Sequence, residues 1–249
     1  MFIINEKSYE TENPVFQKIT SNEKNKPMFV PDYHLAKECF TRGYYESNYI
    51  DWVSENFVNK NSNIIDIGAH MGWYSIKLAN KVKHVYSFEC SPRTFNYLCA
   101  NIALNNQDYN ITKYNCALGE KESLVKYYIR DYTNGGGNGV CELPYDSTKN
   151  TPTIDVPMKT LDSFNLENIN FIKIDVEGYE KQVLQGAIKT IKSNNYPKIL
   201  FESWSSFREK ENVNSIELRK ELFEYISSIG YKIVTLGDKY DEMFLAEKK

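Results

Sequence analysis

Hydrophobic and polar positions along this chain fall into two alternating periods. Tyr49, Trp52, Val53 and Phe57 recur at three- and four-residue steps, which predicts an amphipathic helix. Ile64 to Ile67 follows as an apolar run interrupted only by Asp66, the pattern of a strand covered on both faces. Helical spacing resumes over Tyr74 to Asn80, and a second strand is expected over His84 to Phe88. Pro92 opens the next helix, where its missing N–H costs nothing, and Phe95, Leu98, Cys99, Ile102 and Ala103 make the buried stripe. Ile111 to Cys116 reads as a third strand. There the alternation breaks. Ser123 to Arg130 and Thr153 to Met158 read as strands around a loop containing Asn134-Gly-Gly-Gly-Asn-Gly139, a β-hairpin inserted beside the sheet. Phe171 to Val176 then resumes as a buried strand, Gly178 to Lys192 as a helix, Lys198 to Glu202 as a fifth strand and Ile216 to Ile229 as a helix. Tyr231 to Leu236 and Met243 to Ala246 close the chain as a hairpin. The whole predicts an α/β fold with one doubly wound sheet whose last strand is antiparallel. Residues 1–32, polar and carrying Pro14, Pro27 and Pro31, read as an N-terminal extension to a domain over 33–249.

The first strand, its glycine loop and the second strand carry the strongest chemical signal. Asp66 is followed by Gly68 and Gly72, and Glu89 ends the next apolar run. Strand, glycine loop, helix, strand and acid are the layout with which an α/β sheet holds a nucleoside, the acid binding ribose hydroxyls. A dinucleotide fold wants Gly-x-Gly-x-x-Gly, so that a pyrophosphate can sit on a helix N-terminus. Here the loop is Gly-x-x-x-Gly behind a carboxylate, which would repel a diphosphate and suits the ammonium and sulfonium of S-adenosylmethionine (SAM). Asp66, Gly68 and Gly72 are therefore expected around its methionyl part, and Glu89 at its ribose. The alternative for Asp66 is an N-cap acid with turn glycines.

Composition narrows the partners. The chain has 249 residues, a formal net charge of −3 and a pI near 5.8, which gives no basic footprint for nucleic acid or an anionic membrane. No stretch is long and apolar enough to span a bilayer, and the start lacks the features of a signal peptide. Cys39, Cys90, Cys99, Cys116 and Cys141 form no C-x-x-C pair, and His34, His70 and His84 share no ligand spacing. The expectation is a cytoplasmic protein.

Ile65-Asp-Ile-Gly-Ala-His-Met-Gly-Trp-Tyr-Ser75, Ser87-Phe-Glu-Cys-Ser-Pro92, Asn101-Ile-Ala-Leu-Asn105, Cys116-Ala-Leu-Gly119 and Ile172-Lys-Ile-Asp-Val-Glu-Gly-Tyr-Glu180 resemble the FkbM family of SAM-dependent O-methyltransferases. The resemblance runs over roughly residues 43–205, with Gly43-Tyr-Tyr-Glu46 and Thr160-Leu-Asp162 as further segments. His70 stands where the family usually has Asn, and Cys90 where it usually has Pro. It implies a class I, Rossmann-like methyltransferase with a seven-stranded sheet. It also implies SAM as cofactor, S-adenosylhomocysteine (SAH) as product, and a hydroxyl acceptor, most often on a sugar of a glycan. His70 would contact the cofactor by its backbone, and Cys90 and Ser91 would lie along the adenine edge. Asn115, Cys116 and Ala117 would border the adenine or simply pack in the core.

Asp175, Glu177 and Glu202 are the candidate catalytic acids. Asp175 and Glu177, two apart at the end of a buried strand, share a side if the strand persists, and ligands sit outside the carboxyl ends of such strands. A carboxylate ending an apolar strand is costly unless paired or functional. Glu180 reads as an acid neutralising a helix dipole, and Glu202 as either a site residue or a lid anchor. Methyl transfer to a hydroxyl needs the oxygen aligned and its proton removed, which a desolvated carboxylate can do, with or without a divalent metal. Three carboxylates without histidine suit Mg or Mn better than Zn. Tyr45, Tyr128 and Asn134 are candidate acceptor contacts: the Tyr127-Tyr128 and Asn134–Gly139 segment as a lid or as a plain surface hairpin, Tyr44 and Tyr45 over the cofactor or in N-terminal packing. Two rivals stand beside this reading. An RNA ribose 2′-O-methyltransferase would set lysines around the acids, whereas Lys173 and Lys198 are expected away from the ligand end. A non-catalytic scaffold would be expected to lose Asp66, Glu89 or Asp175.

Overall fold

The computed structural model describes residues 17–19, 28–30, 45–132, 135–144, 146, 148–206, 213–237 and 242–249. Tyr44 and Asn134 lie outside the described residues, as does most of the segment before Tyr45.

Two short antiparallel strands, β1 (Gln17–Ile19) and β2 (Met28–Val30), precede α1 (Ser47–Asn56). The βα units follow: β3 (Asn63–Ile67), α2 (Trp73–Ala79), β4 (His84–Phe88), α3 (Pro92–Leu104) and β5 (Ile111–Tyr114). The insertion holds β6 (Ala117–Leu118), β7 (Ser123–Tyr128) and β8 (Thr153–Lys159). After a 3-10 turn (Leu161–Phe164) come β9 (Ile169–Ile174), α4 (Glu180–Gln185), α5 (Ile188–Ser193), β10 (Lys198–Glu202), α6 (Ser215–Ser228), β11 (Tyr231–Thr235) and β12 (Met243–Lys248). The main sheet has seven strands in the order β11-β12-β10-β9-β3-β4-β5, with β12 antiparallel to both neighbours and the pairs β10–β9, β9–β3, β3–β4 and β4–β5 parallel. Apolar residues cover both faces, as the unbroken runs require. Ile64, Val85 and Phe171 pack with Ile50, Val53, Ile76 and Leu98 on the side of α1 to α3. Ile65, Ile172 and Phe201 pack with Val183, Ile191 and Ile226 on the other. Asn101 of α3 ties β2 to the domain, accepting from Phe29 N–H and donating to the Phe29 carbonyl.

Three elements differ from the sequence reading, each for a local reason. The third strand ends at Tyr114, because the Asn115 amide donates to the carbonyls of Glu89 and Cys90 and the chain leaves the sheet edge there. Residues 117–118 then join the insertion as β6, parallel to β8, so the hairpin is a three-stranded sheet. The helix expected over Gly178 to Lys192 is two. A Cβ on Gly186 would fall 2.0 Å from the Gly119 carbonyl oxygen, and the Asp162 carboxylate accepts from the N–H groups of Lys189 and Thr190 at 3.0 and 2.7 Å, capping a new start. The strand expected to Val176 stops at Ile174.

The described part of the glycine loop is tied down rather than loose. Asn138 accepts from the N–H groups of Arg130 and Asp131 at 2.7 Å each and donates to the Asp131 carbonyl at 2.8 Å. Arg130 pairs with Asp146 at 2.7 Å, with side chains only 7% and 0% exposed, and also donates to the carbonyls of Gly137 and Cys141. Burial works against the Asp146 charge, but bonds from Arg130 and the Leu143 N–H outweigh it and lower its pKa. Removing one partner of such a pair strands the other, at a cost of about 3–5 kcal/mol. Arg130→Met is therefore expected to release the insertion locally: a protease should cut within residues 129–152 at doses the wild type resists. Equal resistance would show that the pair does not hold the segment.

Candidate active site

A polar layer crosses the middle of the sheet. Asp66 on β3 is in register with Ser87 on β4 and with Lys173 on β9, so the three side chains emerge on one face, towards α2. All are buried. Asp66 Oδ2 accepts from the N–H and hydroxyl of Ser75 in the first turn of α2, and the Ser75 and Ser87 hydroxyls bond at 2.6 Å. Lys173 donates to the Gly68 carbonyl at 3.1 Å, pairs with Asp175 Oδ2 at 3.1 Å and lies 4.0 Å from Asp66 Oδ1, with the Tyr74 ring against it. The Tyr74 hydroxyl donates to Glu46, which also faces Lys173. Burial would lower the Lys173 pKa, but Asp175, Asp66 and Glu46 outweigh it and raise it. The expectation that Lys173 stands away from the ligand end is thus corrected. Two strand residues span about 7 Å, within reach of an extended lysine, and this one lies along the strand to its carboxyl end. Opposite charges interrupting two buried strands were the signal available for it. Lys198, by contrast, pairs with Glu247 at the far end of β10.

Asp66 fastens β3 to α2 through Ser75, without being the N-cap, which is Gly72; burial raises its pKa against the pull of Lys173 and Ser75. Its Oδ1 accepts no hydrogen bond. The glycines serve close approach within the protein. Gly68 has φ +73°, and a Cβ there would lie 1.7 Å from the Asp175 carbonyl oxygen; Gly72, at φ +97°, fits against Ile76 and Leu98. Glu89, just past β4, is buried. Its two oxygens accept from the backbone N–H groups of His70 at 2.9 Å and Ser91 at 2.8 Å. Burial pushes its pKa up to about 7, against those two bonds. His70 sits at φ +51° and its Nδ1 accepts from the Trp73 indole at 3.0 Å. Ser91 caps α3, accepting from Thr94 N–H at 3.2 Å.

Although β9 ends early, Asp175, Glu177 and Glu202 do converge: one carboxylate oxygen from each lies within 4.8 Å of the others. Glu177 comes round not by strand alternation but through a left-handed backbone at φ +56°. Oxygen donors of this kind could hold a hard divalent cation. Glu180 is buried and accepts from the N–H groups of Val176 and Gly178, fixing the turn; burial raises its pKa to about 7. The Tyr45 ring lies tilted against Trp73 at 5.5 Å, and burial, then the charges of Glu46, Asp175, Glu202 and Glu177, raise its pKa well above the usual range.

The insertion roofs this ground. A Cβ on Gly139 would lie 3.2 Å from that of Glu177, and Gly139 bridges to Tyr128. Strand alternation turns Tyr127 inward, buried and hydrogen-bonded to Ser91, whereas the Tyr128 ring lies on the other face under the Arg130 guanidinium at 5.4 Å. Cys116 is buried in the main core, while Ala117 and Cys90 pack beneath the small sheet. A cavity of about 210 Å³ opens between the insertion and the first turns of α3, bounded by Met71, Pro92, Tyr97, Tyr127, Ile129 and Ile154, with Ser91 on its wall. Sequence reasoning missed Glu46, Tyr74 and this cavity. Among the described residues no helix is long and apolar enough to cross a membrane.

Comparison with known proteins gives the family and the fold. The family described as the methyltransferase FkbM domain matches residues 66–233. Methyltransferase 1 of Beauveria bassiana (strain ARSEF 2860) is 25% identical over 143 residues, which are 49% of this chain and 57% of that protein. Methyltransferase sdnD of Sordaria araneosa is 25% identical over 187 residues, 61% of this chain and 67% of that one. In fold, the chain is similar to the crystal structure of methyltransferase FkbM from Methylobacillus flagellatus KT, with a TM-score of 0.52 and 17% identity over 88% of this chain and 56% of that one. The chain therefore spans little more than half the length of the first of these relatives and of that structure. The fold is that of a class I, Rossmann-like methyltransferase, and the chain belongs to the FkbM methyltransferase family.

Proposed function

We propose that the protein transfers a methyl group from SAM to a hydroxyl, on a sugar of a glycan or glycoconjugate. The observation that carries the reading is electrostatic. Glu46, Asp66, Glu89, Asp175, Glu177 and Glu202 gather around the glycine loop and the carboxyl ends of β9 and β10, against the ammonium of Lys173. Such a site favours a cationic ligand and disfavours a diphosphate. The residues fit SAM: Asp66 Oδ1 is a buried oxygen with no hydrogen bond, suited to an ammonium directly or through water. Each Glu89 oxygen, holding one N–H, keeps a lone pair for a ribose hydroxyl. The apolar cavity beside Ser91 and Met71 suits the adenine ring better than Cys116 and Ala117, which are taken up in packing.

SAM, when bound, supplies a methyl group on a sulfonium that leaves readily. The protein then has to align the acceptor oxygen and take its proton as the new O–C bond forms and the S–C bond breaks. Asp175 receives that proton in this reading. Lys173 holds its Oδ2, and the side chain is a quarter exposed, open to a substrate oxygen. Tyr45 and Glu177 border the same space, and Gly139 of the insertion packs against Glu177. The sugar rests on the family resemblance and on the aromatic wall that Tyr45 offers. Lys173 beside Asp175 is the observation favouring a ribose hydroxyl of RNA instead. The net charge of −3 opposes it, and an RNA belongs in any acceptor panel.

Calorimetric titration is expected to give binding of SAM and SAH and not of NAD; tighter NAD binding would sink the proposal. Affinity should follow ionisation of Glu89. An acid with its pKa near 7 is protonated below that pH, and a ribose favours the ionised form. SAH binding should therefore weaken as pH falls through 7, by about tenfold at pH 6. Glu89→Gln should flatten that profile and cost about 1.5–3 kcal/mol per charged bond lost. A profile unchanged by the substitution would remove Glu89 from the ribose.

With labelled SAM and a panel of methyl-free glycans, Asp175→Asn is expected to cut turnover about 10²–10⁴-fold with the fold intact. Near-normal turnover would refute the base. Wild-type activity that persists in EDTA leaves Asp175 as base alone, whereas loss restored by Mg²⁺ would give Asp175, Glu177 and Glu202 to an ion.

A further inference from the structure

The glycine loop and the acid turn meet at the carboxyl ends of β3 and β9, and their backbones touch: Gly68 is in contact with the Asp175 carbonyl, and Asp175 N–H donates to the Ile67 carbonyl at 3.1 Å. One side chain is shared by both. Lys173 is 5% exposed, and its ammonium donates to the Gly68 carbonyl and pairs with the Asp175 carboxylate, each at 3.1 Å. A lysine has three donors and no acceptor, so a buried one is held where acceptors converge. Here one acceptor belongs to the loop and one to the acid, which stand more than a hundred residues apart in the chain.

We propose that Lys173 is a positioning residue that couples the glycine loop to Asp175, so that the loop's geometry and the acid's charge are set together. The acid's carboxylate draws the ammonium to a place from which it can also hold the Gly68 carbonyl; a carboxamide at 175 draws it less, and the loop loosens. The Asp175 carboxylate thereby acts on the loop through Lys173, beside the contacts that the Asp175 backbone already makes with it. For its bearing on cofactor binding the inference rests on the SAM reading, while the coupling itself is a property of the protein alone.

Hydrogen exchange of the unliganded protein tests the coupling directly. Exchange at the amides of residues 68–72 is expected to rise about tenfold in Asp175→Asn and in Lys173→Met, a typical size for coupling between sites. The double variant should exchange no faster there than Lys173→Met alone, since the route is already cut. Asp175→Asn effects confined to residues 175–178, or effects that multiply in the double variant, would overturn the proposal. Should Lys173→Met fail to fold, the Asp175→Asn arm decides, because it keeps the lysine and changes only its partner. SAH titration of the same proteins adds the functional readout. Affinity should fall about tenfold in Lys173→Met, and Asp175→Asn should change it in the wild-type background only. Coupled exchange in a wild type that binds neither SAM nor SAH would retire the cofactor reading and leave the positioning role standing. Uncoupled exchange in a protein that binds SAH would do the reverse.

Discussion

Taking several carboxylates out of water at the carboxyl ends of the central strands is the constraint on which this molecule turns. A buried carboxylate is tolerated only with hydrogen bonds or an opposite charge. Each acid near the site has found its own solution. Asp66 uses Ser75 and the field of Lys173; Glu89 uses the N–H groups of His70 and Ser91; Glu180 uses those of Val176 and Gly178. Those bonds are what set the shapes of the loops, so the acids are scaffold and candidate chemistry at once.

The same arrangement explains why the glycines are where they are. Loop and acid turn are packed backbone to backbone, and only a residue without Cβ allows the Gly68 contact with Asp175. Gly178 does likewise for the Trp204 ring, and Gly186 for the Gly119 carbonyl, where the helix breaks. A sequence reader sees glycine near a nucleoside motif and assigns it to the ligand. In this fold the close approach of the protein's own backbone already requires the glycine at position 68.

The insertion shows how a polar network substitutes for a hydrophobic core in a small sheet. Its apolar cluster is modest, with Ala117, Tyr127, Val156 and Met158 buried. Arg130, Asp146 and Asn138 supply the rest by satisfying backbone groups of a glycine-rich loop. That keeps Gly139 over Glu177 and Tyr127 over Ser91, so one insertion spans from the acids to the cavity beside α3.

What the sequence determined by itself was whatever local pattern enforces. Apolar runs with single interruptions gave the strands of a doubly wound sheet, Pro92 and Ser91 the start of α3, and the order of Asp66, glycine loop and Glu89 the nucleoside-type motif. Asp175, Glu177 and Glu202 were legible as acids at strand ends, because burial at such places is costly without a purpose. Tertiary structure alone decided how those acids meet. A left-handed turn at Glu177 brought it round, a register pairing set Lys173 beside Asp66, and Tyr74 and Glu46 closed over that lysine from helices and turns distant in the chain. Strand register, side-chain reach and the position of a cavity depend on which elements pack together. A one-dimensional pattern fixes which face a residue takes, and only the packed sheet fixes what it finds there.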